Sequence, residues 1–167
     1  MTKKYEILTD EYIMVDDIKL FRIRAIKDFG DVKAGELGGF IQSENNLSHY
    51  GISWIYDNAK VYEDAEVYDN ARISGNAQVH GNARIFGDGH VFGNALVYDN
   101  AQVYGKALVY GNAKVYGNSR VFGNAVVYGN AQVFDRAWIC MNAEVFGDAQ
   151  VSGDIWVTAE RIDYIKM

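Results

Sequence analysis

From Ile55 to Val157 an aliphatic residue stands at every sixth position without a slip. A period this strict over so long a stretch admits only a stacked-repeat architecture. Four residues after nearly every aliphatic comes Ala, with Gly89, Ser119 and Ile155 as the exceptions, and between them lies a Gly-Asn or Asp-Asn pair. The consensus is Val-Tyr-Gly-Asn-Ala-Gln.

Strand alternation converts this hexad into structure. In Ala-Gln-Val-Tyr, Ala and Val point to one side and Gln and Tyr to the other. The following pair is turn chemistry, because Gly and Asn tolerate positive φ. Each hexad is therefore one short strand and one corner, and three of them close a triangular coil of 18 residues. The expected fold is all-β: a left-handed parallel β-helix of about six coils, roughly 25–30 Å long at the usual strand spacing. The domain reading is a β-rich N-terminal cap over residues 1–54, the β-helix over 55–160 and a C-terminal cap over 161–167. Val, Ile and Ala fill the narrow bore at close-packed density, so any site must lie outside, at the ends or between subunits.

Composition narrows the function classes. Met1-Thr2-Lys3-Lys4 leads into Tyr5-Glu6-Ile7-Leu8 without a signal-like apolar core, and no apolar run approaches a membrane span. The expectation is a cytoplasmic protein with no membrane partner. Cys140 is the single cysteine, which excludes an intrachain disulfide and a cysteine-based metal site. A net charge of −6 with dispersed basic residues disfavours direct nucleic-acid binding.

Outward positions define three faces. The first carries Lys60/Tyr62, Gln78/His80, Leu96/Tyr98, Lys114/Tyr116, Gln132/Phe134 and Gln150/Ser152, and is mixed. The second carries Glu66/Tyr68, Arg84/Phe86, Gln102/Tyr104, Arg120/Phe122, Trp138/Cys140 and Trp156/Thr158, where Arg beside an aromatic allows cation–π contact. The third, with Trp54/Tyr56, Arg72/Ser74, His90/Phe92, Leu108/Tyr110, Val126/Tyr128 and Glu144/Phe146, is the most apolar. Rings one rung apart stack as cross-strand pairs do, which accounts for the first two faces. A long apolar stripe calls for a partner, so Trp54, Tyr56, Phe92, Leu108, Tyr110, Val126, Tyr128 and Phe146 are the candidate interface, with a homo-oligomer or another protein as the occupant. Docking of the N-terminal segment on the same face is the competing account.

Residues before the hexads read differently. Ile18–Ile26 forms a strand pattern, and Ile13-Met14-Val15 before Asp16-Asp17 suggests its hairpin partner. His49-Tyr50-Gly51-Ile52-Ser53-Trp54 reads as a degenerate first hexad with His49 in the aliphatic slot. An atypical terminal unit protects the open edge of a repeat stack.

The stretch Gly35-Glu36-Leu37-Gly38-Gly39-Phe40-Ile41-Gln42-Ser43-Glu44-Asn45-Asn46-Leu47-Ser48, followed by Trp54-Ile55-Tyr56-Asp57-Asn58-Ala59, resembles the YdcK-like group of bacterial and prophage hexapeptide-repeat proteins. The resemblance runs from about Arg22 to Val157. It implies a left-handed β-helix and an acyltransferase label, without an active site to carry over. Such an enzyme would use a histidine as general base and a coenzyme A thioester in a groove between subunits. The weak catalytic candidates are His80 and His90, which project outward from neighbouring faces, and no cofactor is expected otherwise. Histidine pairs five residues apart, as a zinc site of the carbonic-anhydrase kind would need, are absent from the sequence. Asp57, Glu63, Asp64 and Asp69 ring the first coil and read as turn formers rather than metal ligands. The resulting expectation is a non-catalytic structural or interaction protein that self-associates, with the acyltransferase and a prophage-borne inhibitor of a host system as alternatives.

Overall fold

Within each hexad only two residues need to be fully extended for the chain to pair and turn. Gln78–Val79, Leu96–Val97 and Lys114–Val115 are such two-residue strands, aligned in parallel register 18 residues apart. A computed structural model describes residues 2–167 of the protein; Met1, with which the expected cap begins, lies outside them. The rungs form three sheets that make the walls of a parallel β-helix of about seven turns, and no α-helix occurs among the described residues. No helix there is long and apolar enough to cross a membrane.

The inward Val, Ile and Ala side chains from Ile55 to Val157 are buried in one continuous core, except Ile155, which is partly buried against it. Ser119 occupies an Ala slot and satisfies its hydroxyl by donating to the Tyr116 carbonyl at 2.7 Å. At the corners it is the first residue of the turn pair that takes the left-handed conformation, for example Gly123 at φ 67° and Asp99 at φ 56°. Asn, the second residue, instead runs in side-chain ladders such as Asn112 Nδ2 to Asn130 Oδ1 at 3.2 Å.

The hexads from Ile55 to Val157 account for six turns; residues before and after supply the rest. Three strands lead: β1 (Tyr5–Val15), β2 (Ile18–Ala25) and β3 (Leu37–Ile41). β1 and β2 form an antiparallel hairpin, β2 pairs with β3, and Phe40–Ile41 of β3 then runs parallel to Lys60–Val61 as the first rung of a wall. Gly38 and Gly39 make this approach possible. A Cβ on Gly38 would come within 2.6 Å of the Trp54 ring and 2.7 Å of the Ile55 carbonyl, and one on Gly39 within 2.4 Å of the Ala59 carbonyl.

The opening turn corrects one expectation. Leu47, not His49, pairs with Val67 and fills the inward slot. The cause is Asn46, whose amide donates to the Glu63 and Ala65 carbonyls at 3.0 and 2.9 Å while its Oδ1 accepts the Gln42 and Ser43 N–H groups. This lock sets Leu47 on the wall and pushes two extra residues into the following loop. His49 is displaced to the end of the bore, stacked on Tyr5 at 4.1 Å.

At the far end the ladder continues with a shortened period, Glu144 pairing with Arg161 and Gln150 with Ile165. The N-terminal hairpin closes the near end in two ways. Tyr5, Ile23, Ala25 and Val32 join the bore core, while Ile13, Val15 and Ile18 pack around Leu20, Phe40 and Tyr62. The cap therefore hooks over the end and onto the head of the first face.

Candidate functional site

Aromatic ladders run along all three walls. On the first, Tyr62, His80, Tyr98, Tyr116 and Phe134 stack at 4.9–5.2 Å. On the second, Tyr68, Phe86, Tyr104 and Phe122 stack at 4.7–5.0 Å and pass to the Trp138–Trp156 pair, with the Arg120 guanidinium 4.6 Å from the Trp138 ring centre. On the third, Phe92, Tyr110, Tyr128 and Phe146 stack at 4.8, 5.1 and 5.5 Å. The spacing follows from parallel register, since identical positions lie one strand apart.

The third face keeps most of the residues expected on it, with one correction. Trp54 is fully buried, its ring 5.3 Å from Phe29 and 6.1 Å from Tyr5. It belongs to the seam between cap and bore, not to a contact surface. Tyr56 is partly covered and donates its hydroxyl to Asp31 Oδ1 of the cap at 2.8 Å. Beyond this rung the cap reaches only as far as Arg72, through Asp31 at 3.7 Å; Phe92, Leu108, Tyr110, Val126, Tyr128 and Phe146 are all partly buried. Leu108 and Val126 place two consecutive aliphatic side chains beside the ladder, where the other walls carry Gln, Lys, Arg or Glu except at Leu96, Trp138 and Trp156. The stripe ends at Glu144, which pairs with Arg161 at 3.1 Å while that guanidinium lies 5.0 Å from the Phe146 ring centre.

The two histidines named as candidates stand on different walls. His80 is held between the Tyr62 and Tyr98 rings, with Glu63 3.4 Å from Nδ1. His90 lies on the third wall, tilted 40° against Phe92, and its Nε2 is 3.1 Å from the Ser74 hydroxyl. Burial first, and then the charge of Arg72, holds His90 below its ordinary pKa, so the ring is neutral near pH 7.

His90 and Arg72 form a common wall of two open depressions that sequence reasoning did not find. One, of about 190 Å³, is bounded by Tyr56, Ser74, Asp31 and Asp57; the other, of about 410 Å³, by Ile52, Leu108, Lys106 and Asp88. Asp31 and Ile52 come from the irregular leader, so no repeat pattern could signal them. Ser74 was visible as the non-aromatic member of its column.

The acidic corners have a structural role. Asp57, Glu63, Asp69, Asp99 and Asp135 all take positive φ, and each carboxylate accepts the backbone N–H 18 residues on, at 2.6–3.1 Å. The carboxylate thus closes the corner above it.

The family described as the YdcK beta solenoid repeat matches residues 65–81, 90–105, 101–117 and 113–129. The chain carries YdcK-like β-solenoid repeats along these rungs. The matched segments lie in the regular rungs, whereas the leader on which the resemblance first rested lies before them. No curated protein matches the chain. In this YdcK-like solenoid the matched segment 113–129 contains the Tyr128 rung and Val126, so the central part of the apolar stripe falls on the family's own repeat.

Proposed function

We propose that this YdcK-like solenoid is a non-catalytic interaction protein that self-associates through its third face. One observation carries the reading. Leu108 and Val126 flank the centre of a ladder that the cap leaves uncovered, while the corresponding positions of the first and second walls are largely polar or charged. A straight wall with rungs at a constant spacing offers a flat, repeating surface to a second copy, and aromatic rings held rigid by stacking lose little entropy on contact. His80 supports the non-catalytic reading because its ring is occupied as a member of a stack.

Light scattering over a range of protein concentrations tests the proposal. The expected result is a mass above that of one chain, falling to one chain in a Leu108→Lys, Val126→Lys double variant. These positions flank the ladder without belonging to it, so the stack and the far-ultraviolet dichroism should persist. A parent mass of one chain at all concentrations, or a variant mass equal to an oligomeric parent, would refute it. Acetyl transfer from acetyl-coenzyme A, lost in His90→Ala, would instead establish the enzymatic alternative.

A further inference from the structure

The ladder of the third wall lacks one rung. Its column reads Tyr56, Ser74, Phe92, Tyr110, Tyr128 and Phe146, and Ser74 is the single non-aromatic member. The strands of Tyr56 and Phe92 both pair with Arg72–Ile73, so their rings are separated by two strand spacings, about 10 Å. Elsewhere on this wall each such interval holds a ring. Here it holds the Ser74 hydroxyl, the His90 ring leaning in from the side, and an open depression of about 190 Å³.

The walls of the gap are held in place. Tyr56 is fixed by its bond to Asp31, and burial together with that bond raises its phenol pKa, keeping it protonated. On the other side His90 leans on Phe92 and meets Ser74 Oγ. Arg72 lies across the mouth, its guanidinium 3.7 Å from Asp31 and its side chain 44% exposed. Such a gap favours a flat ring, which stacks on both sides where an aliphatic group could not. It also favours a ring with polar edges, since Ser74, His90, Arg72 and Asp31 offer both donors and acceptors. Past Arg72, the second depression of about 410 Å³ adds Lys106 together with Asp88; Arg72 and Lys106 flank the route from one depression to the next and are the groups that would hold an anionic substituent there.

We propose that the missing rung is a binding slot for a planar nitrogen heterocycle bearing an anionic arm, the chemistry of a mononucleotide, with the ring between Tyr56 and His90 and the phosphate toward Arg72 and Lys106. This goes beyond the self-association reading and does not depend on it. The ring slot lies around Ser74 at the head of the wall; Leu108 borders both the depression that would take the anionic arm and the proposed contact, which runs on from it to Val126.

The test uses the full chain and five probes: AMP, GMP, the nucleosides adenosine and guanosine, and inorganic phosphate. Ligand-observed nuclear magnetic resonance reports ring-current shifts, and titration calorimetry reports affinity. A nucleotide sandwiched between rings is expected to show upfield-shifted base protons. Ser74→Phe restores the rung and should weaken nucleotide binding at least tenfold while raising thermal stability. Lys106→Ala, an exposed position, should weaken the nucleotide several-fold and leave the nucleoside unchanged. If Ser74→Phe does not fold, Ser74→Leu fills the same space and should show the same loss. The proposal is overturned if no nucleotide or nucleoside binds the parent, if the Ser74 variants bind as the parent does, or if inorganic phosphate binds as tightly as the nucleotides.

Discussion

The ammonium of Lys4 donates to the Ser53 carbonyl at 2.8 Å and, within 3.2–3.5 Å, to the Ser53 hydroxyl and the Gly51 and Tyr50 carbonyls. Lys4 is 1% exposed. A buried lysine this close to the start of the chain ties the hairpin to the irregular loop that precedes the first hexad. Lys4→Met removes the donors while retaining the aliphatic stem, leaving carbonyls unpaired. A loss of about 1–3 kcal/mol is expected in urea unfolding, and an unchanged midpoint would show that water replaces the lysine without cost.

The same residue makes alkaline stability depend on pH. Burial, then the charge of Lys27, lowers the Lys4 pKa to about 8 from 10.5. Between these values the unfolded chain binds more protons than the folded one, so stability rises with pH from about 8 and is lost as pH falls back through the folded value. Tyr5 and Tyr56 act oppositely, since burial raises both phenols above 10.0; the rise should reverse beyond about pH 10. Thermal melts of the parent and of Lys4→Met between pH 7 and 10 check this, the variant being flat where the parent climbs.

On the acid side, burial outweighs the neighbouring Glu44 in lowering the His49 pKa below 6.5, and His90 is lowered likewise. A folded value below the unfolded one gives stability that is present above pH 6.5 and lost as pH falls through the folded values. His49→Phe keeps a ring against Tyr5 and removes one of the two titrating groups. Its stability should fall less steeply than the parent's between pH 6.5 and 5, and identical slopes would remove His49 from the account.

Ala101 and Ala113 are fully buried in the bore. Leu at either position overpacks a space set by neighbouring Val side chains one rung away, with an expected cost of about 1–3 kcal/mol. Stability equal to the parent's in urea would contradict their inward placement.

Corner chemistry gives a prediction of opposite sign. Met141 sits at φ 56°, is 62% exposed and lacks the carboxylate that the other non-Gly corners between Asp57 and Asp135 use. Met141→Gly relieves the left-handed strain and, after the extra chain entropy of glycine, should stabilise by about 0.5–1 kcal/mol. Asp99→Ala keeps the strain and removes the acceptor of the Gly117 N–H, and should cost about 1 kcal/mol or more. Melting temperatures that do not move in these opposite directions would disprove the corner assignment.

The rungs were legible because each hexad repeats one local rule. Alternation puts Val and Ala inward, and the turn pair marks the corner, so Val79, Val97 and Val115 could be stacked in register without knowledge of the tertiary structure. The same repetition made the ladder of Tyr110 and Tyr128 readable as neighbours. Local rules fail where the period breaks. His49 occupied the expected slot by counting, but the bonds of Asn46 to the next turn moved Leu47 into it. Trp54 alternated outward like the other members of its column, yet Phe29 and Tyr5 cover it from the cap.

The sequence by itself determined the prism: its three walls, its apolar bore and the order of side chains along each face, all set by interactions between residues 6 or 18 apart in a constant register. Only the tertiary structure decided how the hairpin hooks over the first wall, which apolar rungs stay uncovered, and that Asp31 and Ile52 border the gap at Ser74. Those outcomes depend on contacts between a non-repeating segment and the repeat. Such contacts are fixed by the shape and hydrogen bonding of the docked surfaces, and no period in the chain encodes them.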